Sequence, residues 1–284
     1  MRLVTYDAGN GPRAGILLGE EIVDAEAAGA PASSVRDILE ALGPDGLADL
    51  GSAAADMADR TPRSDVSLLA PVPDPQKIIG LGLNYRDHAA ETNKEIPENP
   101  MWFAKFANSL IGDRDEIILP VVHGEHVDYE AELAVVIGRE AHRVSEAEAL
   151  DYVAGAMPFN DVSARTLQLE NQLWTSGKAL DTFAPCGPAL VTLDEAGDLQ
   201  SLGLRTYLDG EVVQEGTTSE MIFSVAATVA WLSRTMTLLP GDIIATGTPA
   251  GVGGIKGIFL RDGSTVQVEV DGLGTVTNPI RAAS

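Results

Sequence analysis

The 284-residue chain carries 19 Lys and Arg against 42 Asp and Glu, a net charge of −23. An acidic surplus of that size excludes recognition of nucleic acid, which needs cations to displace counter-ions from phosphates, and it disfavours docking on an anionic membrane. With 45% apolar residues and one cysteine, Cys186, the chain can bury a core without disulfides and needs no oxidising compartment.

Along the chain, Arg2–Tyr6, Ala14–Leu18 and Glu20–Asp24 alternate as short strands around the turn-rich segment Asp7-Ala8-Gly9-Asn10-Gly11-Pro12. Val35, Ile38, Leu39 and Leu42 have helical spacing, which predicts a helix over Val35–Leu47. Pro71, Pro73 and Pro75 can continue neither a helix nor a central strand, so they mark a boundary between a small N-terminal domain, 1–72, and a larger one, 73–284. Beyond it, Lys77–Leu83 reads as a buried strand, Asp87–Thr92 as a short helix or lid, and Pro97–Pro100 as a loop. Glu116–Leu119 and Glu130–Ile137 read as strands, and Ser145 with Glu148 forms a capping box for a helix over Ser145–Ala154. Asp209-Gly210 joins the strands Leu204–Leu208 and Glu211–Gln214 as a hairpin. Met221–Met236 carries the longest helical pattern, and Thr265–Val270 with Gly274–Pro279 closes the chain as strands around Asp271-Gly272. The fold class expected is α+β, with a β-dominated larger domain. A signal peptide and a membrane span are both absent from the pattern, so a cytoplasmic location is expected.

The segment Val127-Asp128-Tyr129-Glu130-Ala131-Glu132-Leu133 carries the most chemistry. Side chains alternate along a strand, so Glu130 and Glu132 share a face, about 7 Å apart. Two such carboxylates either stand in water or hold a hard divalent cation between them. Asp161 follows an apolar stretch and begins a polar turn, where a third oxygen ligand would sit. Three carboxylates suit Mg²⁺ or Mn²⁺ better than zinc. His123-Gly124-Glu125-His126 lacks zinc-protease spacing and reads as a surface loop. His88 and Glu91 share a helical face, a spacing that fits either an ordinary ion pair or an imidazole base steadied by a carboxylate. Lys178, among Gly177 and small residues, reads as a surface lysine or as a cation reaching into a pocket. Gly80-Leu81-Gly82 and Gly253-Gly254-Ile255-Lys256-Gly257 match no nucleotide loop, and no nucleophile elbow is present.

In order, these segments resemble the fumarylacetoacetate hydrolase superfamily over about residues 75–280. The carriers are Gly82-Leu83-Asn84-Tyr85 with Asp87-His88 and Glu91, Phe103-Ala104-Lys105, Glu130-Ala131-Glu132-Leu133, and Asn160-Asp161-Val162-Ser163-Ala164-Arg165 with Gln168. Lys178, Gln214, Met221-Ile222-Phe223, Pro240-Gly241-Asp242-Ile243-Ile244 and Thr246-Gly247-Thr248-Pro249 follow. The resemblance implies a mixed β-roll catalytic domain behind a small accessory domain, a homodimer, and Mg²⁺ or Mn²⁺ held by Glu130, Glu132 and Asp161. It implies that His88 and Glu91 lie on a lid and activate water, that Lys178 stabilises developing negative charge, and that Lys105, Arg165, Gln168 and Thr248 line the substrate pocket. Thr217-Thr218 stands where relatives often carry Asn-Thr.

The activity so implied is C–C hydrolysis of a 2,4-dioxo acid to pyruvate or a related 2-oxo acid and a carboxylic acid. Isomerisation of a 2-hydroxy-diene dioate and decarboxylation of oxaloacetate are alternatives at the same site. A carboxylate-binding protein without activity is the remaining reading.

Overall fold

The computed structural model describes residues 1–122 and 124–283. His123, singled out above with His126, lies outside the described residues. Strands β1 (Arg2–Asp7), β2 (Arg13–Leu18) and β3 (Glu21–Asp24) form the expected antiparallel meander. Its first turn is held by Asp7, whose Oδ1 accepts the amides of Gly9 and Gly11 at 2.6 and 3.1 Å. Both glycines have φ near +95°, which side chains rarely adopt. Helix α1 (Val35–Ala55) starts at Ser34, whose Oγ accepts from the Asp37 amide at 3.1 Å. It runs past the expected end at Leu47, with a break at Gly43 before Pro44. Strands β4 (Thr61–Pro62) and β5 (Ser67–Leu68) complete this part.

After the prolines come β6 (Ile78–Gly82), α2 (Arg86–Glu91), β7 (Met101–Lys105), β8 (Leu110–Ile111), β9 (Ile117–Leu119), β10 (Val127–Asp128), β11 (Ala131–Ile137) and β12 (Val153–Asn160). Then follow β13 (Ser163–Ala164), α3 (Arg165–Leu169), α4 (Thr175–Lys178), β14 (Ala184–Pro185), β15 (Leu190–Thr192), α5 (Leu193–Ala196), β16 (Gly203–Leu208) and β17 (Glu211–Thr217). The chain ends with α6 (Val225–Ser233), β18 (Ile243–Ala245), α7 (Gly253–Lys256), β19 (Thr265–Val270) and β20 (Gly274–Ala282). An 11-stranded sheet has the order β4-β3-β2-β1-β15-β12-β11-β18-β6-β7, with β5 on β1. A five-stranded sheet has the order β17-β16-β19-β20-β9. The β16–β17 turn is the Asp209-Gly210 pair, with φ of +51° and +85°, as a type I′ hairpin requires.

Strand β11 is buried throughout and explains its apolar sequence. Leu133, Val135 and Ile137 pack in one core with Leu204, Val268 and Val276 of the second sheet. Ala134 and Val136 pack on the other face with Val35, Met157 and Phe159. Leu3 and Ile16 belong to that second core, and Leu3 pairs with Leu190, so residues before and after the prolines share one sheet.

Two expected helices differ. Over Ser145–Ala154 there is no α-helix but a 3₁₀ turn at Ala149–Tyr152 running into β12. Ser145 Oγ donates to the Glu148 carboxylate instead of capping an amide. The fully buried residues of β12 pair with β11 and β15, and sheet burial overrides the local capping pattern. The helix expected over Met221–Met236 narrows to α6, which starts at Ser224, whose Oγ accepts from the Ala227 amide at 3.0 Å. No helix of the described residues is long and apolar enough to cross a membrane.

Candidate active site

Glu130 and Glu132 flank the start of β11, and Asp161 follows the end of its neighbour β12. The register Ala131↔Asn160 brings these strand ends together, and the Asp161 amide donates to the Glu130 carbonyl at 2.9 Å. One carboxylate oxygen from each of the three lies within 4.8 Å of the others, and all three residues are buried. Lys178 Nζ donates to Glu130 Oε2 at 2.7 Å and to Asp161 Oδ2 at 2.6 Å. Lys105 Nζ donates to Asp161 Oδ1 at 2.6 Å. Arg165 reaches Glu130 Oε1 at 2.6 Å. Glu132 Oε2 accepts the Gly247 amide at 2.8 Å, while its Oε1 is buried without a hydrogen-bond partner.

The electrostatics follow from these contacts. Burial pushes the Glu130 carboxyl up, but Lys178 and Arg165 outweigh it and hold it well below the usual carboxylate range. Burial, Asp161 and Glu130 drive Glu132 well above that range. Burial lowers the Lys178 ammonium, yet Asp161 and Glu130 raise it further than burial lowers it. Lys105 is held below its ordinary value by burial, which the Asp161 contact offsets in part.

A carboxylate kept proton-loving, with an orphaned buried oxygen and two more carboxylates beside it, is a set of hard oxygen donors. It fits a divalent cation of the Mg²⁺ or Mn²⁺ type.

Arg165 is anchored by a residue that the sequence reading passed over. Asp128 takes Arg165 Nε and Nη2 on its two oxygens at 2.7 and 2.9 Å, and accepts the Gly254 amide. The signal was available: Asp128, Glu130 and Glu132 alternate on one side of an extended segment. Arg165 Nη1 in turn holds Gln168 Oε1 at 3.0 Å.

Two expected pocket residues have structural partners. Thr248 Oγ1 borders the cavity but donates to the Ala131 carbonyl at 2.8 Å and accepts from Gln214 Nε2 at 2.7 Å. Lys105 stands behind Asp161 with no side-chain exposure.

Helix α2 carries His88 and Glu91 to the opposite wall. Leu83, at φ +56°, turns the chain out of β6. Asn84 ties that turn down, donating to the carbonyls of Phe223 and Thr246 at 3.0 and 2.8 Å. His88 Nδ1 lies 3.1 Å from Glu91 Oε2, and Glu91 Oε1 accepts the Gly251 amide at 3.0 Å. Asp87 Oδ2 accepts the neighbouring Ala250 amide at 3.2 Å. Two carboxylates therefore fasten the helix to the 250–251 loop.

Between these walls lies a cavity of about 630 Å³ that His88, Glu130, Arg165, Gln168 and Lys178 all line. Phe103 and Trp174 form its apolar side, edge to face at 6.0 Å. They seat against β6 because Gly80 and Gly82 lack side chains: a Cβ there would lie 2.4 Å from the Phe103 ring and 2.0 Å from the Trp174 ring. His126, half-exposed on a surface turn as expected, also lines the cavity.

The sequence pattern described as fumarylacetoacetate (FAA) hydrolase C-terminal matches residues 77–281. The chain is 41% identical over 289 aligned residues to the oxaloacetate tautomerase fahd2 of Xenopus laevis, covering 99% of this chain and 90% of that one. A maleylpyruvate hydrolase from Sphingobium sp. SYK-6, solved with manganese(II) and pyruvate, superposes with a TM-score of 0.84 at 33% identity, covering all of both chains. The 2-hydroxyhepta-2,4-diene-1,7-dioate isomerase of Mycobacterium marinum superposes at 0.80 with 35% identity, covering 100% of this chain and 99% of that one. The name of the Xenopus relative carries a mitochondrial location, which belongs to that protein and differs from the cytoplasmic one expected here. Matched over the whole β-dominated part and by relatives along nearly its full length, the chain belongs to the fumarylacetoacetate hydrolase family.

Proposed function

We propose that this protein is a divalent-cation-dependent enzyme that moves a proton between the keto and enol forms of a 2-oxo acid, with oxaloacetate as substrate. The observation that carries this reading is the placement of the His88–Glu91 pair in one cavity with Glu130 and Lys178. The name of the 41% identical relative supports it.

A cation held by Glu130, Glu132 and Asp161 would supply Lewis-acid polarisation of the 2-oxo group. Glu91 Oε2 lies on His88 Nδ1, so the proton there is shared with the carboxylate and Nε2 is the basic nitrogen. From the keto form, Nε2 takes a C3 proton, the C3–H electron pair closes the C2–C3 double bond as the carbonyl π pair moves to the C2 oxygen, and a solvent proton on that oxygen completes the enol. Lys178, charged and buried, compensates the negative charge that develops on the enolate. Arg165 and Gln168, fixed by Asp128, orient the acid. In the reverse direction the enol O–H proton goes to solvent, the C2=O bond re-forms, and protonated Nε2 gives its proton to C3. Contact of Glu91 with the Gly251 amide keeps the carboxylate in place through both steps.

C–C hydrolysis of a 2,4-dioxo acid is the second reading. The cavity volume favours it, since it leaves room for an acyl group and a water. Here His88 Nε2 would take its proton from that water. The experiment is to follow enol-oxaloacetate absorbance and, in parallel, acetylpyruvate cleavage, each with chelator and with Mn²⁺ restored. Cation-dependent tautomerisation lost in His88→Asn supports the first reading. Cleavage without tautomerisation replaces it with the second, and oxaloacetate decarboxylation through pyruvate release is read in the same assay. We also propose a homodimer, checked by a solution mass of twice 29.8 kDa.

A further inference from the structure

The cavity has a second histidine that the proposed reaction does not use. His126 sits at the end of a 3₁₀ turn, Gly124–His126, immediately before β10. Its Nδ1 lies 3.1 Å from Thr166 Oγ1, and its ring stands edge-on to Phe259 with centroids 5.1 Å apart. Two contacts thus fix the ring, and Nε2 is the nitrogen left for a ligand. Glu125 is exposed, and its carboxylate stands 4.0 Å from Nδ1.

Charge around the cavity decides what that ligand is. The acids that line it, Glu91 and Glu130, already accept protein donors on both oxygens. Lys94 also lines the cavity, and its ammonium lies over the Trp174 ring, 5.7 Å from the centroid. With both carboxylates taken, Lys94 and the Nε2 edge of His126 remain for an occupant, in a chain whose net charge is −23. Such a wall selects an anion. His126 and Glu130 line one cavity of about 630 Å³, which has room for an acid longer than three carbons.

We propose that His126 is a specificity-determining residue that binds the distal carboxylate of a 2-oxo dicarboxylic acid whose 2-oxo end lies at the Glu130 cluster. The proposal rests on the 2-oxo acid reading of the site and adds the residue that meets the far carboxylate. It does not depend on which reaction follows.

The test is calorimetric binding of 2-oxoglutarate and of pyruvate to the Mn²⁺-loaded protein and to its His126→Ala and His126→Gln variants. The wild type is expected to bind 2-oxoglutarate more tightly. A hydrogen bond to a charged group at a half-exposed position implies that His126→Ala weakens 2-oxoglutarate about tenfold. Pyruvate affinity is expected to hold, and His126→Gln, which keeps an N–H donor, to retain most of the preference for the diacid. Equal weakening of both acids, or an intact diacid preference in His126→Ala, would overturn the proposal. A wild type that binds neither acid would overturn it together with the 2-oxo acid reading. The expected pattern in a protein without tautomerase turnover would uphold it and remove the proposed reaction alone.

Discussion

Lys178 is the counter-ion of the carboxylate cluster, and its removal has a calculable consequence. Its Nζ contacts Glu130 at 2.7 Å and Asp161 at 2.6 Å, and the side chain is 2% exposed. Lys178→Met leaves the two carboxylates facing each other and Glu132 without that charge. Removing one partner of a buried ion pair costs about 3–5 kcal/mol. Arg165 and Lys105 still hold the outer oxygens, so the lower end applies. At roughly 2–4 °C per kcal/mol for a chain of this size, the variant should melt roughly 6–12 °C lower in chelator. A divalent cation at about 100 times its Kd stabilises the folded state by about 2.7 kcal/mol, which would recover most of the loss. The assay is thermal unfolding of both proteins in chelator and in Mn²⁺. The cation-induced rise in Tm should be larger in Lys178→Met than in the wild type, since no ammonium competes for the same oxygens. Equal melting in chelator, or equal rises in both proteins, would refute the reasoning.

Glu132→Gln should melt close to the wild type in chelator, because burial and its acidic neighbours already favour the neutral form; it should lose the Mn²⁺-induced rise in Tm. Gly82→Ala places a Cβ against the Trp174 ring, so overpacking of about 1–3 kcal/mol should lower Tm and weaken pyruvate binding measured by calorimetry. Cys186 is fully buried and burial pushes its thiol up, so a thiol reagent should leave the native protein untouched and titrate one group in denaturant. For Asp24, burial raises the carboxyl, but Arg13, the Ala27 amide and Tyr6 outweigh it and hold it below 3.8. Its contribution is present above that value and lost as pH falls through the lower folded one. Asp24→Asn should therefore cost about 1 kcal/mol or less at neutral pH, and the gap in Tm from the wild type should close in acid.

Much of this architecture is legible in the sequence because local patterns and long-range pairing agree. The Asp209-Gly210 hairpin and the N-terminal meander are set by turn chemistry. Apolar Leu133–Ile137 could only be a buried strand, and it positions Glu132 and, just before it, Glu130. Ser145–Ala154 misleads because Ser145 and Glu148 satisfy each other, while the pull of β11 and β15 on Val153–Asn160 is invisible locally. The roles of Thr248 and Lys105 depend on partners far along the chain, Ala131, Gln214 and Asp161, which no spacing rule links. His126 escapes for a similar reason. Its turn is ordinary, and the pairing of β10 with β13 is what carries it to the cavity wall beside Thr166.

The pairing of β1 with β15 also sets a timetable. Leu3 meets Leu190, and the Met1 amino group bonds Thr192 Oγ1 at 2.7 Å and Glu195 at 2.9 Å. At synthesis rates of about 5–20 residues per second, the first strand waits roughly 10–40 s before its partner is made. During that interval β1 can pair with β2 on one side and, at Tyr6 and Asp7, with β5 on the other, while the Arg2–Leu3 stretch of that second edge stays open to any strand in reach. Arg2 places a cation on that edge, and it later closes on Glu195 at 2.6 Å. The same residue that discourages a wrong partner on the ribosome thus locks the right one once it arrives.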